Sequence, residues 1–174
     1  LPAMRPLALI PTFPTILAGL LAAALSAEAV AGENLLVNGD FREGVSAWSR
    51  LDLVSFSEGG AATPGSARIE LPNRPEGGDA MVQCVAVEGY RLYDLGASSR
   101  LPEWPGVSGG VSVRLQWHAA PLCQGSTLRG APSLDFSYTE PAGWQVKERR
   151  RIPAPESAVS ALVVVVARSA GEEP

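Results

Sequence analysis

Hydrogen-bonding side chains alternate with apolar ones from Val111 to His118, the clearest strand pattern in the chain. Val113, Leu115 and Trp117 are expected to face a core, because successive side chains of a strand point to opposite faces. The other face then carries a polar row of Ser112, Arg114, Gln116 and His118. Such a row of donors and acceptors suits a ligand rich in hydroxyl groups. A solvated sheet face has the same composition, so both interpretations stay open.

A second alternating stretch, from Glu88 to Pro102, places Asp94 and Arg100 on the face opposite its apolar residues. Trp104 follows in a loop between two prolines, and it is the one tryptophan without an evident core role. The other three, Trp48, Trp117 and Trp144, are assigned to the core, and alternation places Trp144 and Val146 on one face with Ile152. Alternation therefore predicts five ligand-contacting candidates: Asp94, Arg100, Arg114, Gln116 and His118. Trp104 is a sixth candidate because of its loop position, and a loop aromatic that folds onto the sandwich is the alternative.

The stretch Gly106 to Gly110 matches G-x-S-x-G, a pattern in which a serine nucleophile lies between a strand and a helix. Here a proline-bounded loop precedes Ser108 and a strand follows it, so we do not expect this serine to be catalytic. A serine nucleophile also needs a base, and His118 is the only imidazole. No spacing marks a pair of catalytic carboxylates. The sequence therefore predicts a protein that is not an enzyme.

The N-terminal residues 1–31 have the features of a signal peptide. Met4-Arg5 precedes an apolar segment whose core, Ile16 to Leu25, carries no charge, and Ala29-Val30-Ala31 offers a small-x-small cleavage site. An uncleaved membrane anchor is the alternative, but prolines interrupt the apolar run. We expect a secreted or periplasmic protein, with residues 32–174 as its single domain and no stable membrane span after cleavage.

Two cysteines, Cys84 and Cys123, occur in the chain, and both fall in the expected mature part. In an oxidising compartment they are expected to form one disulfide, and two buried free thiols are the alternative. A zinc site is not expected, because the chain has a single histidine and no Cys-x-x-Cys spacing.

About eight short alternating runs separated by glycine and proline turns predict an antiparallel β-sandwich. Near the start of the domain, Leu35 and Val37 alternate with their neighbours, which predicts a short strand before the Asn38-Gly39-Asp40 turn. Ala161 to Ala167 is apolar on both faces, which predicts a central buried strand. The net charge of −4 and the pI near 5.0 give no support for a nucleic-acid partner. The basic residues Lys147 and Arg149 to Arg151 are typical of a solvated strand edge, and an anionic polysaccharide partner is the alternative.

Three stretches carry a resemblance to a known family: the "NLLVNGDFREGVSAW" of Asn34 to Trp48, the Glu88 to Pro102 segment, and Gly143-Trp144 with Ile152 to Pro155. Together they resemble the carbohydrate-binding modules of the cellulase-associated (CBM4/9-like) type. The resemblance implies an all-β, two-sheet antiparallel jelly-roll sandwich of the galactose-binding-like kind and a non-catalytic module that binds poly- or oligosaccharides. It also implies a final acidic strand, which this sequence lacks after Ala167.

The resemblance further implies a structural calcium held by the first turn, where Asp40 and Glu43 are the candidate ligands. Arg42 occupies a place where relatives commonly have an acidic residue. The alternative function is an exported structural or protein-interaction sandwich without a sugar site, because the fold alone does not fix function. The expected partner is accordingly a carbohydrate or another extracellular protein.

Overall fold

A computed structural model of the chain describes residues 33–51, 53–70, 78–101, 109–140 and 143–169. Within these ranges the fold is all-β, with one short 3-10 turn at Pro121–Cys123. The strands are β1 (Val54–Glu58), β2 (Gly65–Ile69), β3 (Gly78–Ala86), β4 (Leu92–Leu101), β5 (Gly109–His118), β6 (Ser133–Ser137), β7 (Gly143–Pro153) and β8 (Ser160–Ser169).

The largest sheet has the order β3-β8-β5-β6 and is antiparallel throughout. β8 lies in the middle, so the central strand predicted from Ala161 to Ala167 is confirmed. Val163 on one face joins the main core, whereas Val164 and Val166 on the other face pack with Val82 of β3. A strand covered on both faces needs apolar residues at every position, which explains its continuous hydrophobic run.

The second layer consists of β4 paired with β7, and β1 pairs with β2 in a separate hairpin. Leu95 of β4 and Ile152 of β7 share one core with residues of β5. The β5 contribution is the predicted apolar set of Val113, Leu115 and Trp117. Side chains of this size each stabilise the fold by roughly 1.5–3 kcal/mol when fully buried. The predicted sandwich is therefore confirmed, with its core between the two sheets.

The segment before β1 differs from the sequence expectation, because it contains turns where Leu35 and Val37 predicted a strand. Asn38 adopts a φ of 51°, and its side chain bonds across the loop to the backbone of Glu43 and Gly44. Gln83 of β3 replaces the missing strand partner. Its side-chain amide accepts from the Val37 N–H at 2.8 Å and donates to the Val37 carbonyl at 2.9 Å.

The predicted disulfide is confirmed, and it links Cys84 of β3 to Cys123, with Cα atoms 5.9 Å apart. The Cys123 N–H donates to the Ser160 hydroxyl at 3.0 Å, and that hydroxyl donates to the Ala120 carbonyl at 2.6 Å. The covalent bond and these hydrogen bonds hold the β5–β6 connection against β3 and β8.

Three sequence predictions lie outside the described residues: the export segment 1–31, Trp104 and Ser108. Within the described ranges, no helix is both long and apolar enough to cross a membrane.

Candidate functional site

A cleft of about 490 Å³ opens where the chain entering β6 faces the end of β7. One side is Arg129 to Pro132, the other side runs from Arg149 to Pro155, and Trp117 of β5 lies between them. We refer to it as the arginine cleft, lined by Trp117, Arg129, Gly130, Ala131, Pro132, Arg149, Ile152, Pro153, Ala154 and Pro155. Its volume is in the range of small-ligand sites.

A β-bulge explains how Arg149 reaches this cleft. Tyr93 pairs with Ile152 and Leu95 pairs with Arg149, so two residues of β7 oppose the single residue Asp94 of β4. Arg149 and Ile152 consequently lie on the core-facing side, although residues three apart in a regular strand point to opposite faces.

Asp94 holds the bulge in place. Its Oδ1 accepts a hydrogen bond of 2.7 Å from the backbone N–H of Arg151, which has a positive φ of 56°. A non-glycine residue in this region is uncommon and needs local support. The predicted ligand contact at Asp94 therefore has a structural partner in β7.

The floor of the arginine cleft is rigid and apolar. Trp117 is 1% exposed, and Ile152 and Ala154 are also buried. The lining also contains three prolines, Pro132, Pro153 and Pro155, which restrict the backbone and have no N–H group. The Trp117 indole N–H is buried and has no hydrogen-bond partner within the described part of the chain. An unsatisfied buried donor is destabilising, and functional sites are one place where such groups are kept.

Both charged residues of the cleft are arginines, and neither side chain has an ion pair or hydrogen bond with another described residue. The neighbouring acidic groups have other partners. Glu148 pairs with Arg150 at 2.8 Å, and a hydrogen bond with Glu156 raises the pKa of Tyr90. The cleft is therefore locally cationic in an acidic chain.

The six predicted ligand contacts do not form one site. Asp94 and Arg100 lie on the outer face of β4, whereas Arg114, Gln116 and His118 lie on the outer face of β5. The two strands belong to different sheets on either side of the core, so these outer faces point away from each other. Trp104, the sixth candidate, lies outside the described residues. Alternation assigned each face correctly but could not reveal the sheet partners.

The polar row on β5 is partly engaged within the sheet. The Ser112 hydroxyl donates to the Asp135 carboxylate at 2.6 Å, and the Arg114 Nε donates to the Ser112 hydroxyl at 3.4 Å. Hydrogen bonds from Ser112 and Ser133 lower the pKa of Asp135. Several polar side chains on this face therefore hydrogen-bond to one another.

His118 ends the row under the β5–β6 connection. It is only 4% exposed, and neither ring nitrogen has a hydrogen-bond partner among the described residues. An isolated bridge pairs its backbone with Thr127. Its ring is thus covered by the protein rather than presented on the open face that the polar row predicted.

Trp144 departs from its predicted core position. It pairs with Arg100 and lies with Val146 on the outer face of β7, while Ile152 is buried in the core. Strict alternation placed Trp144, Val146 and Ile152 on one face, and the bulge between Arg149 and Ile152 reverses that relation. Trp48 and Trp117 are in the core as predicted.

The first turn does not fit the implied calcium site. The Asp40 carboxylate pairs with the Arg42 guanidinium at 2.8 Å, which puts a cation where a metal would need oxygen ligands. Glu43 is fixed through its backbone N–H, which donates to Asn38. In the described ranges, no group of three or more histidine, cysteine, aspartate or glutamate residues could hold a metal.

The G-x-S-x-G stretch continues directly into strand β5 at Gly109 and Gly110, as the sequence predicted, and no helix follows it. A Cβ at Gly110 would lie 1.8 Å from the Phe136 carbonyl oxygen of β6. This glycine is therefore required for close strand pairing.

Sequence reasoning noted Arg149 as part of a basic cluster, but it missed Arg129 and the proline walls of the arginine cleft. The available signals were an arginine between turn residues at 129–132 and the proline-rich 152–155 segment. Neither signal indicates that the two segments meet, because their contact depends on how the two sheets pack.

No protein-family model matches the chain, and no curated protein matches its sequence. Among solved structures, the chain is similar to "Family 16 Carbohydrate Binding Module-2", with 22% identity and a TM-score of 0.59, covering 80% of this chain and 92% of that one. It is also similar to the enzymatically active domain of bacteriophage CBA120 tailspike protein 4, with 15% identity and a TM-score of 0.54. That match covers 78% of this chain and 19% of the tailspike chain.

A third solved structure, TmCBM61 in complex with beta-1,4-galactotriose, has 17% identity and a TM-score of 0.47, covering 80% of this chain and 90% of that one. At such identities, the first two matches show that the chain has the β-sandwich fold found in a carbohydrate-binding module and in part of a tailspike.

Proposed function

We propose that this protein is an exported, non-catalytic carbohydrate-binding module of the cellulase-associated type that binds an oligosaccharide in the arginine cleft. The observation that carries the proposal is the cleft itself. It is concave, has a rigid apolar floor at Trp117 and Ile152, and presents two guanidinium groups that have no partner among the described residues.

The chemistry of the lining supports a sugar ligand. Sugar rings combine apolar C–H faces with polar substituents, and the cleft offers an apolar floor beside cationic donors. The likeness of the fold to a carbohydrate-binding module adds support at the level of architecture, although fold alone does not determine function. The disulfide between Cys84 and Cys123 supports an oxidising, extracytoplasmic location.

The test is binding of a panel of neutral and acidic oligosaccharides to the purified protein, measured by titration calorimetry. The matched variants are Ala131→Trp, which fills the cleft without changing its charge, and Ala62→Trp, which adds the same side chain to the exposed β1–β2 loop. We expect at least one glycan class to bind and Ala131→Trp alone to abolish binding. Binding that survives Ala131→Trp would place the sugar elsewhere, and no binding by the whole panel would refute the proposed function.

A protein-interaction surface is the second candidate function, favoured by the outer face of the β4–β7 sheet. Val146 is 72% exposed and lies two residues from Trp144 on this face. An exposed apolar side chain beside a tryptophan on one sheet face is the kind of surface at which proteins interact. The test is whether the immobilised domain binds a partner protein. Binding that Val146→Asp abolishes and Ala131→Trp leaves unchanged would favour this function over sugar binding.

A further inference from the structure

We infer that the arginine cleft selects acidic sugars, with the anionic group of a uronic acid held by Arg129 and Arg149. This inference rests on the proposed function and names the chemical class of its ligand. It depends on which hydrogen-bonding groups the cleft offers and which charges surround it.

The side chains that line the cleft can donate hydrogen bonds but cannot accept them. The exposed polar side-chain groups among the ten lining residues are the guanidinium groups of Arg129 and Arg149, and the indole N–H of Trp117 is buried beneath them. Each of these groups is a donor only. A sugar hydroxyl is best satisfied by a donor and an acceptor together, whereas a carboxylate only accepts. The lining therefore matches an acceptor-only ligand group better than a neutral hydroxyl.

The backbone adds few donors to the lining. Pro132, Pro153 and Pro155 have no N–H, and the Ala154 N–H already donates to the Arg91 carbonyl at 2.9 Å. Specificity at this surface consequently depends on the two arginine side chains. A guanidinium presents a planar fork of donors that matches the two oxygens of a carboxylate.

Among the described residues, no carboxylate forms an ion pair with either cleft arginine. Glu148 is paired with Arg150, Asp94 accepts from the Arg151 backbone, and Glu156 bonds to Tyr90. Elsewhere on the surface, arginines have acidic partners, as in the Arg42–Asp40 and Arg68–Glu70 pairs. The two cleft arginines are thus available to an external anion.

The deciding experiment compares one glycan in two charge states. Titration calorimetry measures binding of an oligogalacturonate and of its fully methyl-esterified form, in which the backbone is unchanged and the carboxylates are neutral. We expect the acid form to bind at least tenfold more tightly, since hydrogen bonds to charged groups are about twice as strong as neutral ones. Raising the ionic strength should weaken only the acid form, because salt screens charges. Alginate and hyaluronate oligosaccharides extend the test to other uronic acids, and a sulfated neutral glycan separates carboxylate from sulfate recognition.

The variants assign the selectivity to the cleft. Arg129→Gln and Arg149→Gln should each weaken binding of the acid form by roughly tenfold and leave the methyl ester almost unchanged. The double variant Arg42→Gln/Arg68→Gln removes two positive charges at exposed ion pairs outside the cleft and should bind like the parent protein. Circular dichroism melts of all variants confirm that folding is retained.

Each alternative outcome has a separate meaning. Equal binding of the acid and ester forms, abolished by Ala131→Trp, would overturn the charge selectivity and leave the proposed function standing. Binding of a poly-aspartate peptide as tightly as the uronate, or a stronger response to sulfate than to carboxylate, would also overturn the uronic acid inference. Failure of every glycan to bind would remove the proposed function itself.

Discussion

Strands β7 and β8 are nearly equal in length, but they serve opposite purposes. β8 lies between β3 and β5 in the four-stranded sheet, and its valines are packed on both faces. β7 pairs only with β4 among the described strands, and most of its side chains from Val146 to Arg151 are exposed. One strand stabilises the domain, whereas the other supplies Arg149 to the candidate site.

The difference follows from hydrogen bonding and strand position. β8 is hydrogen-bonded to β3 on one side and to β5 on the other. A residue inserted into β8 would therefore disrupt the hydrogen bonds to both neighbouring strands. β7 accommodates its bulge at the single pairing with β4, and the bulge turns Arg149 toward the cleft. The irregular, exposed strand β7 thus supplies one wall of the candidate site, whereas the buried strands supply its floor and fix its position.

The largest expected effect concerns the bond that anchors the four-stranded sheet. Replacing Cys84 and Cys123 by serine opens a loop with a sequence separation of 39 residues. In the chain-entropy account this lowers the free energy of unfolding by about 4 kcal/mol. Urea denaturation of the oxidised, reduced and double-serine forms measures the effect. A change below about 1 kcal/mol would mean that Cys123 is held by its hydrogen bond to Ser160 without the covalent link.

A matched pair of valine substitutions tests the comparison directly. Val164→Ala in β8 removes a side chain that is 1% exposed, and Val146→Ala in β7 removes one that is 72% exposed. We expect a loss of about 2 kcal/mol of unfolding free energy for the first and less than about 0.5 kcal/mol for the second. Urea denaturation of the two variants and the parent protein measures both losses of unfolding free energy. Similar losses would contradict the division of roles between the strands.

The bulge can be perturbed at Asp94, which supports Arg151 through one hydrogen bond. Asp94→Ala should cost about 1 kcal/mol of stability and weaken ligand binding in the arginine cleft, because Arg149 loses its position. Asp94→Asn retains an oxygen acceptor and should recover most of the binding. Calorimetry with an oligogalacturonate reports affinity, and denaturation reports stability. If the alanine and asparagine variants bind equally well, Asp94 does not position Arg149.

The smallest effect lies at the β5–β6 edge of the four-stranded sheet. Hydrogen bonds from Ser112 and Ser133 lower the pKa of Asp135 below the ordinary aspartate value of 3.8. Its stabilisation is therefore complete above that value and is lost as the pH falls through the lower, folded-state pKa. Ser112→Ala should reduce stability at pH 6 by well under about 1 kcal/mol and make it less dependent on pH between 4 and 2. Urea midpoints across this range test it, and an unchanged pH profile would contradict the assigned role.

Much of the fold was predictable because its signals are local. Alternation identified the core residues of β5, and the unbroken apolar run of β8 identified a central strand. The disulfide followed from cysteine count and expected compartment. The strand predicted at the first turn does not form, because the Asn38 side chain bonds within its own loop. The backbone of Val37 bonds instead to the side chain of Gln83, 46 residues away.

The candidate site was less predictable, because it depends on one irregularity. Alternation along β7 placed Trp144 with Ile152, and the bulge opposite Asp94 separated them. A single inserted residue reverses the face of every side chain beyond it. No pattern in the sequence marks that position, since the arginines on either side of it are equally suited to a regular exposed edge.

The sequence by itself determined that the chain forms a disulfide-linked β-sandwich, because strand periodicity, turn residues and cysteine number are local or compositional properties. Only the tertiary structure decided which polar residues share a surface. It separated Asp94 from His118 on opposite layers and brought Arg129 together with Arg149 above Trp117. The physical reason is that a strand pattern specifies the two faces of a strand, whereas sheet order, bulges and layer packing specify what those faces meet.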